Sequence, residues 1–371
     1  MSTVKPRAAF IKEVLMKLMR SSTLILPIMS VLSALTVCSV SAQSEKLNYD
    51  TVIATWQPQQ LSIASIDEAE KILTSSRYLQ AKGDERERIV RFTDIMRQKF
   101  DSLNAGQKER LVVLEARLLQ GIHKFEQAKQ HLNKIARFRS PAAQLLLADI
   151  NVQQGNAKKA KENCEKLVGQ TSFLIAFTCM VNADFSQNKD VKFLKKLSAF
   201  ETYTSTVRPA ERQWFYEVLA DMSLQLGNAE AALEYLSQTE FEKLPISAML
   251  VWADAHFALN NYKAVSSGFS NSVPDILTAD DGLLLKWAIA ERAQGIVRSE
   301  VQTQLAKNME IRVWREDSSH AAQVATYFLE IEPDYPLALK FAEINWQYAQ
   351  SLDDKNLLER ARQANEVSTN A

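Results

Sequence analysis

The chain has 371 residues, of which 24% are charged and 46% hydrophobic, with nine glycines and 44 basic against 44 acidic side chains. That composition excludes a disordered or collagen-like polymer, and the balanced charge leaves no basic field of the kind that holds nucleic acid. Sparse glycine with abundant Ala, Leu, Glu, Lys and Gln favours helices, in two ordinary domains or in one elongated array.

Residues 1–42 read as a targeting segment. Lys5, Arg7, Lys12, Lys17 and Arg20 precede an apolar run from Leu24 to Val40, and the run closes on Val40-Ser41-Ala42 before Gln43. This is a charged n-region, an h-region and a small-residue cleavage site, and a start at Met16 would make the signal an ordinary length. Two alternatives stand beside it. The run is nearly long enough to stay as a membrane anchor, and Leu35-Thr36-Val37-Cys38 has a lipoprotein-like outline with Val37 where a small residue is expected. Cleavage removes those five basic residues and Glu13, leaving a formal charge of about −4 with no second apolar run of spanning length. The expectation is a periplasmic or secreted protein, with inner-membrane anchoring as the alternative.

Residues 43–64, with Pro58 and several glutamines, read as an extended leader. From Ile66 to Gln80 the pattern is helical, and Ser65 with Glu68 has capping-box spacing. Gly83-Asp84 interrupts it, and a second helix follows to about Phe100. Leu111–Leu119 and Phe125–Ile135 form the next pair, with Ala116 and Ala128 where the helices touch. In the following pair Gln144–Gln153 leads through Gly155-Asn156 to Ala157–Leu167, with Leu147, Ala148 and Ala160 in the corresponding places.

Residues 213–236 hold the clearest unit. Tyr216, Leu219, Ala220 and Ser223 line one helical face, Gly227 stops that helix, Asn228 caps the next, and Ala232 and Leu236 resume the spacing. Met249–Ala258 carries Trp252-Ala253 and passes Asn260-Asn261-Tyr262 into a helix with Phe269; Leu284–Ala293 carries Trp287-Ala288 and ends at Gly295. The steps from Gly155 to Asn188, Gly227, Asn260 and Gly295 are 33, 39, 33 and 35 residues. Pairs this short cannot bury their apolar faces alone and need copies stacked beside them.

A bulky residue followed by Ala in the first helix, Gly or Asn at the turn and Ala in the second helix resembles the tetratricopeptide (TPR) repeat, over roughly residues 65–350. Residues 120–128 and 331–339 carry the same outline, and the ending, Asn345-Trp346-Gln347 and then Asp353-Asp354, resembles that of a group of exported bacterial repeat proteins. Glu115 departs from the pattern where a bulky apolar residue is usual. The copy around Asn188 lacks the second-helix Ala and is equally registered on Ala183-Asp184. The resemblance implies an all-α, TPR-like α-solenoid over residues 65–365 with a polar tail at 366–371. It also implies a concave side, lined by first helices, that holds a protein or peptide. Carried onto this chain, the inward positions are Arg117, Asp149, Asp221 and Asp254. Three aspartates after the contact alanines read either as an acidic ladder selecting a basic partner or as an ordinary solvated face.

Cys38 lies in the signal, leaving Cys164 at the end of one pair and Cys179 at the start of the next, 15 positions apart. An antiparallel step would bring the two sulfurs together, and an oxidising compartment favours a disulfide over two buried thiols. No catalytic or cofactor signature appears. His123, His131, His256 and His320 are scattered, and Trp314-Arg315-Glu316-Asp317 reads as a helix start capped by Asp317 or Ser318. Phosphate loops, nucleophile elbows and paired-Cys zinc spacings are absent from the sequence. Trp252, Trp287, Phe269 and Phe328 fit core positions, with Trp346 covering the last pair. The sequence therefore points to a non-catalytic binding scaffold with no cofactor and no metal. A membrane-anchored assembly subunit is the alternative.

Overall fold

The structure is a computed structural model that describes residues 63–75, 83–135, 140–273, 275–277 and 279–370. The signal and most of the leader inferred for residues 1–64 lie outside the described residues. Everything described belongs to one compact unit, Gln60–Ala371.

Among the described residues there are seventeen α-helices and no β-strand. In chain order they are α1 (Ile66–Ser75), α2 (Gly83–Gln98), α3 (Ala105–Gln120), α4 (Phe125–Asn133), α5 (Pro141–Gln153), α6 (Ala157–Glu165), α7 (Phe173–Gln187), α8 (Val191–Ser198), α9 (Pro209–Gln225), α10 (Ala229–Leu236), α11 (Ile246–Ala258), α12 (Tyr262–Ser272), α13 (Asp281–Ala293), α14 (Glu300–Arg315), α15 (Ala321–Glu330), α16 (Tyr335–Tyr348) and α17 (Leu352–Asn370). Each helix packs on the next, and each odd-numbered helix also packs on the following odd-numbered one. The array is therefore a TPR-like α-solenoid in which the odd-numbered helices form one continuous layer. The last helix runs on to Asn370, through the stretch expected to be a polar tail, and residues 366–369 are exposed along it.

The alanines explain how closely the helices approach. Ala116 and Ala128, Ala148 and Ala160, and Ala220 and Ala232 form buried pairs, five of the six fully covered. Each pair spans twelve residues, and a methyl group at both positions lets two backbones come within the close interaxial range. In the next copy the position twelve after Ala253 is the buried Val265, and the close approach moves to Gly268, where a Cβ would lie 2.7 Å from the Trp252 ring.

The turns repeat as strictly. His123, Gly155, Gly227, Asn260 and Gly295 all have left-handed backbones, with φ of 54°, 69°, 80°, 55° and 78°. Each lies seven residues after its contact alanine. In each, the left-handed residue donates to the carbonyl three back and its successor to the carbonyl five back, as in Gly227 to Leu224 and Asn228 to Ser223, both 2.9 Å. This is the Schellman arrangement, which satisfies carbonyls that the ending helix leaves open.

Asn188 does not belong to that set. Its backbone is extended, φ −143° and ψ 105°, and the turn is made instead by Asp190, which caps α8 by accepting from the Lys192 amide at 2.9 Å. The irregular step of 39 residues in the sequence reflects this different junction. Ala183 of α7 is fully buried among Ala148, Ala160 and Cys164.

Other departures have local causes. Glu115 is tolerated in an apolar position because its nearly covered carboxylate is paired with Arg97 and with His131 Nδ1. At the first helix the Glu68 amide donates to Ser65 Oγ at 3.1 Å, while the Glu68 carboxylate accepts from the Ala64 amide at 2.8 Å, one residue earlier than a standard box.

Candidate functional site

The odd-numbered helices place Arg117, Asp149, Asp221 and Asp254 along their shared layer, one residue after the contact alanine in α3, α5, α9 and α11. The structure gives each a different setting. Asp149 accepts from Gln153 one turn later at 2.9 Å and also from Gln120 of α3. Asp221 accepts from Gln225 at 2.7 Å. Asp254 is ion-paired with Lys286 of α13. Arg117 is exposed and lies within the electrostatic reach of Asp149. The three aspartates are thus a partly neutralised row.

The surroundings change what these carboxyls do. Asp149 is exposed at the surface yet lies among the side chains of α3, α5 and α7, and the surrounding protein raises its pKa by desolvation against the opposing effects of Gln153, Gln120 and Arg117. Burial also raises Asp221, with Gln225 opposing and Asp353 adding to the shift. Glu217 is shifted in the same direction. Burial, with Asp221 and Asp149 nearby, pushes it up to about 7, and the Ser247 hydrogen bond opposes this only in part. Glu217 was not singled out in the sequence, although it precedes Asp221 by one helical turn on the same face.

Two cavities open on this layer. The first, about 330 Å³, is bounded by Arg117, Gln120, Asp149, Asn182 and Trp214, with the sulfurs of Cys164 and Cys179 in its wall. Those cysteines are bonded, S–S 2.02 Å and Cα–Cα 5.4 Å, which ties α6 to α7. The second, about 490 Å³, has Asn182, Lys189 and Asp221 on one side and Trp346, Gln350 and Asp353 on the other. Residues from α16 and α17 therefore face the layer formed by α5, α7 and α9, across a sequence distance no local pattern records.

The charged stretch before His320 is a structural joint. Asp317 caps the short 3₁₀ turn by accepting from the Ser319 amide at 3.0 Å, and Ser319 Oγ and His320 Nδ1 both meet the same carboxylate. Ser319 Oγ donates to Asp317 at 2.6 Å, so its proton is held by that carboxylate, and Nε2 lies 3.9 Å from Asp281, beyond hydrogen-bond reach. The fully buried Asp281 accepts from Asn308 at 2.8 Å and Arg312 at 3.1 Å, locking α13 to α14. Of the expected core aromatics, Phe269 and Trp287 are buried, while Trp252, Phe328 and Trp346 are partly buried against the same cluster.

Among the described residues no group of three His, Cys, Asp or Glu is placed to hold a metal ion, and no helix is long and apolar enough to cross a membrane. No family model and no curated relative matches the chain. Among solved structures it is similar to the TPR domain of P58(IPK), at 14% identity over 81% of this chain and 99% of that one, with a TM-score of 0.23.

Proposed function

We propose that this chain is a non-catalytic binding scaffold whose odd-helix layer holds an extended segment of another protein, preferably a basic one. The observation that supports this most is the enclosed row of Asp149, Glu217 and Asp221, where poorly solvated carboxyls would gain from a cationic ligand what they lack from water. Arg117 and Asn182 beside the row supply donors for backbone carbonyls or a carboxylate. Work in the periplasm belongs to the same proposal, carried by the signal-like residues 1–42 and supported by the Cys164–Cys179 pair. The runner-up keeps residues 21–42 as an anchor and makes the chain an accessory subunit. Fractionation with N-terminal sequencing separates the two, since a soluble chain starting at Gln43 excludes the anchored one.

The binding claim is tested with pentalysine. The combined Asp149→Asn, Asp221→Asn and Asp254→Asn variant is expected to bind it about tenfold more weakly at low salt. A control carrying Glu230→Gln, Glu234→Gln and Glu240→Gln, the same charge change on other helices and loops, is expected to bind like the parent. Equal loss in both variants would reduce the row to a solvated face.

A further inference from the structure

The array does not leave its layer open. The turn between α16 and α17 reaches back across it, and the Gln350 amide donates to the Gln153 carbonyl at 2.8 Å. Gly155 is what admits it, because a Cβ at that position would stand 2.8 Å from the Gln350 carbonyl oxygen. Lys189 meets Asp353 at 3.4 Å, and Ala349 is buried in the cluster of Val112, Ala116, Leu147 and Ile150. His123, at the end of α3, faces Ser318, Asp317 and Asp354. The turn is also braced from behind. The buried Asn345 donates to Asp354 at 2.7 Å, and Asp354 accepts from the Ser351 amide at 2.9 Å. The Asn345 and Asp353-Asp354 elements of the sequence ending therefore shape and present this turn.

We infer that residues 349–353 are a built-in occupant of the concave layer, a strap that must lift before an extended partner can lie there; this rests on the partner-binding reading above. Ala349 at the contact is extended, φ −113° and ψ 125°, and Gln350 hydrogen-bonds through its backbone, as a bound peptide would. The attachment is slight. Among the described residues the Gln350 hydrogen bond, the fit of its carbonyl over Gly155, the solvent-accessible Lys189–Asp353 pair and the buried Ala349 hold it, with His123 facing Asp354 beside it, whereas α15, α16 and α17 join one another through Val324, Phe341, Leu358 and Ala361. The cavity of about 490 Å³ beside the strap marks where the contact is incomplete. A contact so much weaker than the core opens by itself, without global unfolding.

Two measurements on the full chain decide this. Hydrogen exchange at the Gln350 amide is expected to be slower than in a free peptide yet much faster than at Leu219 in the α9 core. Exchange as slow as at Leu219 would mean that the turn opens only with the whole fold, and unprotected exchange would mean that it never docks; either overturns the strap. In the second measurement, Lys189→Cys with Asp353→Cys, in a Cys38→Ser background, is joined by a bis-maleimide, to which the bonded Cys164 and Cys179 do not react. The joined chain is expected to bind pentalysine about tenfold more weakly than the same variant capped with N-ethylmaleimide, since only the lifted state is competent. Equal binding overturns the strap. If neither form binds, the partner reading falls, and the exchange result alone decides the strap.

Discussion

The stretch from α9 to α13 and the copy formed by α7 and α8 solve one packing problem in two ways. In the first, Ala220, Ala232, Ala253 and Ala288 are fully buried, and each of these copies ends its first helix on a left-handed Gly or Asn. In the second there is no second-helix alanine and no left-handed turn. Cohesion between its two helices comes from Phe177, Phe185, Phe193 and Phe200 around Leu197, while the Cys164–Cys179 bond ties the copy to α6 of the copy before it. Where the two backbones cannot approach through small residues, large rings fill the gap, and the covalent tie fixes the copy to its neighbour across the alanine-lined contact of Ala160, Ala176 and Ala183. The covalent tie sits in the wall of the cavity beside Asp149, so the irregular copy is also the one nearest the candidate site.

Breaking each solution should show the difference. The largest effect is expected from Cys164→Ser with Cys179→Ser, which reopens the closed loop and should cost about 3 kcal/mol in urea unfolding. Should the loss be negligible, the aromatic cluster alone holds the copy. Ala220→Leu tests the alanine solution, since extra methylenes in a fully packed contact should cost about 2 kcal/mol. A neutral result would mean that the helices are not in close contact.

Glu217 gives a pH-dependent comparison. Its folded pKa of about 7 lies above the ordinary 4.5, so the fold favours the neutral carboxyl over the ionised one, an advantage fully present below about pH 4.5. That advantage is lost as the pH rises through the folded value, because the unfolded chain ionises first. Glu217→Gln should therefore stabilise the chain at pH 8, by roughly 1–2 kcal/mol after allowing for its partial exposure, and do nothing at pH 4. Equal effects at both pH values would show that Glu217 is ordinarily solvated. The smallest test contrasts the turns. Gly227→Ala, at φ 80°, should cost about 1 kcal/mol, and Asn188→Ala, at φ −143°, less than about half that.

The regular copies were legible because their determinants are local. An alanine and a left-handed residue seven positions later fall within one helix pair, joined after twelve by a second alanine in the copies of Ala116, Ala148 and Ala220, and Gly155, Gly227, Asn260 and Gly295 advertise the turn. His123 did not advertise it, since a histidine there carries no glycine-like signal. Asn188 advertised a turn that its backbone does not make. The row of Arg117, Asp149, Asp221 and Asp254 was legible as a register, but the Lys286 pairing of Asp254 and the enclosure that shifts Asp149 and Glu217 were not. Both depend on neighbours from other copies. The strap was wholly hidden, because Gln350 meets Gln153 and Asp353 meets Lys189 across long separations that no periodicity encodes.

The closure of the layer by its own α16–α17 turn is the claim most directly open to measurement. Zero-length carbodiimide coupling of the native chain, followed by peptide mass spectrometry, joins only amines and carboxylates already in contact. Within neighbouring copies Lys161 with Asp184 and Lys286 with Asp254 serve as internal standards. The expected result is a Lys189–Asp353 amide beside those two; recovery of both standards without it would contradict the closure.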